Sequence, residues 1–395
     1  MIACESSAPN TTPQPPVADI LIASDMPITD FDGSAVPWQH AIQLALDQHH
    51  GKIGRFKLAY WSLDDTVAGA ALQEKGIQNL ERLQDDHRVL GVIGSGPSYV
   101  AAAEIPIANA NPVPLVILSP SNTRACLTRS QPACYAAADE LRPSGRNNFF
   151  RIAPPEPLQG AAMARYLVQH LNLRRAAAIN EMGDDGMAYI DSFSDQLAQL
   201  GGELVLTKAL DSGTMDFSEF MANARAKGAQ AIYALGSPDD KVCVAASQMS
   251  PGMLFLGTDN FTLAPLCVKQ AGDAANNMFG TLADVDATQL PDAKKVVDEY
   301  RTKYPATDPG SIYTFAAYDC ANILIDAIEY AINANNGEIP KRIDVLNAVA
   351  RANARYRGVT GTYTFDANGD AKDPLMSVYQ VKGGQWTFVQ RIDLV

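Results

Sequence analysis

Val89-Leu90-Gly91-Val92-Ile93-Gly94-Ser95-Gly96-Pro97-Ser98 is the stretch on which the fold turns. Val89–Gly94 is a continuous apolar run, Gly and Pro interrupt it, and Ser98–Ala110 follows with the apolar spacing of a helix. Pro114–Leu118 is then a second buried strand. Strands without polar alternation are covered on both faces, the condition of a parallel sheet whose crossovers are helices. Upstream, Val17–Ala23 is apolar, Ala35–Gln48 has helical spacing with Pro37 in its first turn, Phe56–Trp61 reads as a strand and Thr66–Leu83 as a helix. Right-handed crossovers follow from that order.

The polar stretch Asn122–Asn148 interrupts the alternation, which restarts downstream. Helices are expected at Gln159–Leu171, Asp185–Leu200, Phe217–Lys227 and Asp239–Gln248, with strands at Ala176–Asn180, Leu204–Leu206, Ala231–Leu235, Met253–Leu256 and Met278–Leu282. Pro291–Tyr304, Thr314–Ala334 and Ile343–Ala352 read as helices, and Gly361–Phe365, Met376–Val381 and Gln385–Val389 as antiparallel strands. Two successive α/β units of similar size predict two lobes. The fold class is thus α/β, each lobe a mostly parallel sheet flanked by helices.

The chain has 395 residues, 47% of them apolar and 19% charged, which excludes bulk disorder. Its 31 Lys+Arg against 44 Asp+Glu leave a net charge of −13, the wrong sign for a phosphate backbone. No apolar run reaches the ~18 residues of a membrane-spanning helix. The Gly-rich phosphate loop, H-E-x-x-H and G-x-S-x-G are all missing, and Gly94-Ser95-Gly96 lacks the third Gly of a dinucleotide fingerprint, so no cofactor is expected. Asp366-Ala367-Asn368-Gly369-Asp370 reads as a turn; as a calcium loop it lacks the closing Glu, and no metal site is expected.

Among six cysteines, Cys126 and Cys134 enclose a short polar stretch and suit a local disulfide, and Cys243 and Cys267 flank a strand-like stretch and form a candidate second bridge. Cys320 lies in an apolar helical run and reads as core. Oxidised pairs imply an extracytoplasmic compartment; reduced, buried thiols in the cytosol are the alternative. Met1-Ile2-Ala3-Cys4 resembles the end of a bacterial lipobox, with Met1 where Leu is usual, which makes Cys4 the expected lipidation site and Glu5–Pro16 a tether.

Polar residues follow several strands: Ser98 after Val89–Gly94, Ser121 and Thr123 after Pro114–Leu118, Asp185 after Ala176–Asn180, and Asp259 after Met253–Leu256. In an open parallel sheet these carboxyl ends line the ligand crevice. Helix-start N–H groups with Ser and Thr hydroxyls make an anion site without a basic residue. Asp259 or Asp185 would then accept from an ammonium, and the two ends together describe an α-amino acid. The competing reading makes all of them ordinary helix caps, and spacing alone leaves the two level.

Ile93-Gly94-Ser95-Gly96-Pro97-Ser98, with Pro106-Ile107, Leu118-Ser119-Pro120-Ser121-Asn122-Thr123, Asn148-Phe149-Phe150-Arg151, Gln159-Gly160, Phe255-Leu256-Gly257-Thr258-Asp259 and Tyr313–Tyr318, resembles the type I periplasmic binding proteins. The leucine/isoleucine/valine-binding receptors of amino-acid ABC importers are the nearest branch. The resemblance spans nearly all of residues 17–395 and implies two lobes joined by three hinge crossovers, near Arg151, Ala283 and Gly361. It divides the chain into a signal remnant and tether at 1–16, one lobe from 17–150 plus 283–360, and another from 151–282 plus 361–395. It implies that Ser98 and Thr123 hold the ligand carboxylate, that the Ser121 carbonyl and Asp259 take the ammonium, and that Phe31 and Tyr313 wall the side chain. Ser237 is placed on a second-lobe loop facing the cleft.

Two departures stand out. Asp184-Asp185-Gly186 replaces the family's Tyr-Gly, which makes an additional polar or cationic group on the ligand conceivable. Val113–Ser119 runs about two residues long relative to the family, which would displace Ser121. The expected function is an extracytoplasmic, lipid-anchored, monomeric solute receptor that closes over an amino acid, branched-chain or related, and delivers it to importer membrane subunits. A sensor domain of the same fold is the alternative. An α/β enzyme using Asp184, Asp185 or Asp259 needs a reacting partner such as a metal or nucleophile. A DNA-binding regulator needs a basic helix-turn-helix ahead of residue 17, where a polar tether stands.

Overall fold

The computed structural model describes residues 13–30, 33, 35–110, 114–130, 134, 136–210, 216–236, 242–249, 252–262 and 265–394. Buried strands build two sheets. The first runs Lys52–Ile53, Phe56–Asp64, Ile20–Met26, Val89–Gly94, Ile117–Ser119, Phe149–Arg151, all parallel beyond the edge hairpin formed by its first two strands. The second runs Glu203–Ala209, Arg175–Asn180, Ala231–Leu235, Leu254–Gly257, Met278–Leu282, Leu375–Lys382, Gln385–Asp393. Its first five strands are parallel and its last two antiparallel. Ile20–Met26 and Val89–Gly94 are buried at every position, as continuous apolar runs demand.

Helices cover the faces. Thr314–Ala334 buries Phe315, Leu324, Ile325 and Ile328 among others and packs with Val36–Gln48 on the first sheet. Burial of each such side chain contributes about 1.5–3 kcal/mol. Leu158–Gln169 and Gly183–Gln199 pack on each other over the second sheet, around Tyr166, Phe193 and Leu197. Disulfides join Cys126 to Cys134 and Cys243 to Cys267, and Cys320 is a buried free thiol.

Sequence expectation and structure part in three places. The helix expected from Thr66 begins instead at Gln73 and runs to Asp85, because Thr66–Val67 and Ala70–Ala71 form a small hairpin. Its two turn residues, Ala68 (φ 52°) and Gly69 (φ 84°), both take the left-handed conformation such hairpins require. The strand expected at Gly361–Phe365 is two residues, Thr362–Tyr363, and pairs with Tyr356–Arg357 rather than with the C-terminal strands. The chain passes between sheets after Arg151 and after Leu282, but its third passage lies beyond Ala371, not at Gly361. Tyr363, Phe365 and Ala371 still pack in the core beside the first sheet, and the Arg151 N–H donates to the Gly369 carbonyl at 2.9 Å.

Candidate functional site

Gly94 ends its strand at φ 145°, where a Cβ would lie 2.3 Å from the Asp25 carbonyl oxygen, so only glycine lets the chain turn here against its neighbour. The following loop is fastened to the segment after Ile117–Ser119. Asn122 Nδ2 donates to the carbonyls of Gly96 (2.8 Å) and Ser95 (3.1 Å), and Ser121 Oγ donates to that of Gly96 (3.0 Å). Ser98 starts its helix, and its Oγ accepts the Arg124 N–H at 3.3 Å. The fully buried Arg151 guanidinium donates to the carbonyls of Asn122 (3.1 Å) and Arg124 (2.7 Å), on either side of Thr123. Ser98, Ser121 and Thr123 are thereby set on one edge. Their hydroxyls are engaged by this scaffold, and Ser121 faces back onto the Gly96 loop.

Thr123 leads to the second sheet. Its Oγ1 donates to Glu156 Oε1 at 3.3 Å, and its carbonyl accepts the Glu156 N–H at 2.8 Å. Glu156 sits on the first passage between sheets, in Pro154-Pro155-Glu156-Pro157, and its carbonyl accepts the Gln159 N–H at 3.0 Å. Gln159 is wholly buried, and its Oε1 accepts both the Asp259 N–H and the Thr281 hydroxyl, each at 3.0 Å. Asp259, after Leu254–Gly257, is thus hung from the same turn as Glu156. Burial, and next the charge of Asp259, pushes the Glu156 carboxyl up to about 7. Burial also raises Asp259 above the ordinary carboxylate range.

Three buried tyrosines lie within electrostatic reach of Asp259. Burial, followed by the charge of Asp259, raises the phenols of Tyr189, Tyr233 and Tyr313 well above their ordinary value. Tyr313 heads the helix Thr314–Ala334 at φ 61°, held there by its N–H donating to Asp284 Oδ2 at 2.6 Å. Arg124 Nη2 lies 3.6 Å from Asp185 Oδ2 and spans from the Thr123 loop to the helix Gly183–Gln199.

The structure therefore links Ser98, Ser121, Thr123, Asp259 and Asp185 through one set of contacts, whereas Tyr313 contacts Asp284 and the Trp38 ring instead. Phe31, Ser237 and Cys4 lie outside the described residues. Asp185 differs from expectation in that its carboxylate faces Arg124, so the protein supplies its partner. The turn Asp366–Asp370 also has another use: Asp370 pairs with Arg151 (2.8 Å) and Arg129 (2.7 Å). Among the described residues no group of three or more His, Cys, Asp or Glu is arranged to hold a metal ion. Sequence reasoning missed Glu156, Arg124, Tyr189 and Tyr233. Glu156 carried one signal, a lone carboxylate among prolines three residues ahead of Gln159-Gly160.

The sequence profile of the periplasmic binding protein family matches residues 29–385. The chain is a member of that family. A Pseudomonas aeruginosa protein named "amino acid binding protein" is 22% identical over 370 residues, covering 92% of this chain and 90% of that one. The Leu/Ile/Val-binding protein BraC3 of Rhizobium johnstonii is 23% identical over 296 residues, 74% of this chain and 76% of its own. An ABC transporter substrate-binding protein of Desulfitobacterium hafniense, solved in complex with Leu, has a TM-score of 0.74 at 20% identity, over 94% of this chain and 99% of that one. Among the described residues of this binding protein, no helix is long and apolar enough to cross a membrane.

Proposed function

We propose that the protein captures an α-amino acid between its two sheets, outside the cytoplasm, and passes it unchanged to the membrane subunits of an ABC importer. The carrying observation is the continuous path of contacts from Ser98 and Thr123, through Glu156 and Gln159, to Asp259. Hydroxyls and a helix start stand at one end, favouring a carboxylate, and the half-buried acids Glu156 and Asp259 stand at the other, favouring an ammonium. The names of the relatives from Pseudomonas and Rhizobium support the same substrate class.

In this reading residues 17–150 with the long C-terminal helices, and 151–282 with the last two strands, move as separate lobes. Ligand docks on the first and the second closes, a shift between two states biased by contacts made only when shut. Export and a lipid on Cys4 complete the reading. A thermal-shift screen against the common amino acids and small amides tests it. A true ligand at a hundredfold excess over Kd stabilises by about 2.7 kcal/mol. At least one amino acid should do so, and Ser98→Ala with Thr123→Ala should abolish the shift; silence across the panel would overturn the proposal.

A further inference from the structure

Met26 and Asp64 end neighbouring parallel strands side by side. The chain that leaves Met26 passes out of the sheet, where its N–H groups need other acceptors, and Pro27 brings no N–H of its own. Asp64 supplies those acceptors. Its Oδ1 takes the Ile28 N–H at 3.0 Å and the Thr66 N–H at 3.1 Å, and its Oδ2 takes the Thr29 hydroxyl at 2.6 Å. One carboxylate thus fastens the loop after Ile20–Met26 to the start of the small hairpin. Asp64 is itself fixed, because Asn79 Nδ2 donates to its carbonyl at 2.9 Å and to Asp25 Oδ1 at 2.7 Å.

That loop bears on the edge carrying Ser98, Ser121 and Thr123. A Cβ on Gly96 would lie 2.6 Å from Pro27 Cδ and 3.6 Å from Trp38 Cζ3, so the Gly96 turn sits directly on the proline with the indole alongside. Trp38 is buried and pinned by its ring N–H, which donates to the Ile312 carbonyl at 2.6 Å. The Gly96 carbonyl accepts from Ser121 Oγ and Asn122 Nδ2, and Ser98 starts its helix two residues on. An unbroken route therefore runs from Asp64, through Thr29, Ile28 and Pro27, to the Gly96 turn. Binding groups must be held to within about 0.5 Å, and a turn resting on an unfastened loop loses that precision.

We infer that Asp64 is a positioning residue for ligand binding, acting through Pro27 on the Gly96 turn. This rests on the amino-acid reading above and adds to it a residue outside the binding edge. The parent protein is titrated by calorimetry with each common amino acid, and the tightest binder is then used on Asp64→Ala, Asp64→Asn, Thr29→Val and the double variant Asp64→Ala/Thr29→Val. Urea unfolding of each variant reports its fold separately. Asp64→Ala should bind at least about tenfold more weakly, and Thr29→Val, which removes one of the three donors, about threefold. Asp64→Asn keeps an oxygen for the two N–H groups and should stay within about threefold of the parent. The double variant should bind no more weakly than Asp64→Ala alone, because both changes remove the same contact. A role in stability alone would lower the urea midpoint and leave affinity unchanged. Parental affinity in a folded Asp64→Ala overturns the inference, as does an Asp64→Asn that binds as weakly as Asp64→Ala. If Asp64→Ala does not fold, parental affinity in Thr29→Val overturns it. A parent protein that binds no amino acid refutes the wider reading, and this inference with it.

Discussion

Arg151 Nε donates to Asp370 Oδ1 at 2.8 Å, with side-chain exposures of 0% and 4%. The pair ties the end of the first sheet to the turn before the third passage. The same guanidinium holds the carbonyls that flank Thr123, so one buried charge positions both the first passage between sheets and the loop that carries Thr123. Burial acts to raise the Asp370 carboxyl, but the charge and hydrogen bonds of Arg151 and Arg129 outweigh it and hold it below its ordinary value. The stability this group contributes is present at neutral pH and is lost as pH falls through the low carboxylate range. Asp370→Ala strands the Arg151 charge and should cost about 3–5 kcal/mol in urea unfolding. A loss under about 1 kcal/mol would mean that Arg151 is neutralised some other way.

Beneath the first sheet lies a group of acids with the opposite pH signature. Asp25, Asp65 and Glu104 are all wholly buried. Asn79 donates to Asp25 at 2.7 Å, Glu104 faces Asp25 and Ser95, and Asp65 has no side-chain hydrogen-bond partner among the described residues. Burial, with neighbouring acids adding to it, pushes Asp65 up to about 8 and Glu104 up to about 7. A raised carboxyl stabilises the fold fully below its unfolded value near 4 and ceases to do so as pH climbs through its folded value. The melting temperature should therefore decline from mildly acidic pH toward pH about 8, each such group adding a slope of up to about 1.4 kcal/mol per pH unit. Asp65→Asn and Glu104→Gln should flatten that decline. A parent protein that melts higher at alkaline than at mildly acidic pH contradicts this account.

The two disulfides should differ in weight. Cys243–Cys267 closes a separation of 24 residues and Cys126–Cys134 one of 8. Constraint of the unfolded chain predicts about 3.4 kcal/mol for the longer loop and about 2.5 for the shorter. Paired Cys→Ala variants, unfolded in guanidinium, should keep that order, and a reversed order would show that native packing dominates.

Arg124 and Asp185 make a pair of modest strength. The Asp185 side chain is 54% exposed, so Asp185→Asn should change unfolding stability by less than about 1 kcal/mol. Its effect belongs to closure: ligand should leave about threefold faster in stopped-flow, and the difference should fade in high salt. An equal effect at low and high salt would remove the ion pair from the closing step.

Legibility in the sequence followed physical range. Val89–Gly94 and Ala231–Leu235 announced themselves because a strand covered on both faces has no polar residue to confuse its period. The places of Ser98, Thr123 and Asp259 just past strand ends were readable because the apolar runs before them mark where those strands stop. The hairpin at Ala68-Gly69 was hidden because alanine carries no turn signal, and its left-handed conformation is set by the strands around it. Glu156 was hidden because nothing local distinguishes it. Its place against Thr123 and near Asp259 depends on a passage between two sheets that only the folded chain brings together.

The central claim is that the cleft recognises both charged ends of an α-amino acid. Calorimetric titration of the best-binding amino acid beside its decarboxylated and its deaminated analogue tests this most directly. Each analogue should bind at least about tenfold more weakly than the parent ligand, one through the Ser98 and Thr123 edge and the other through Asp259. Equal affinity for either analogue would contradict it.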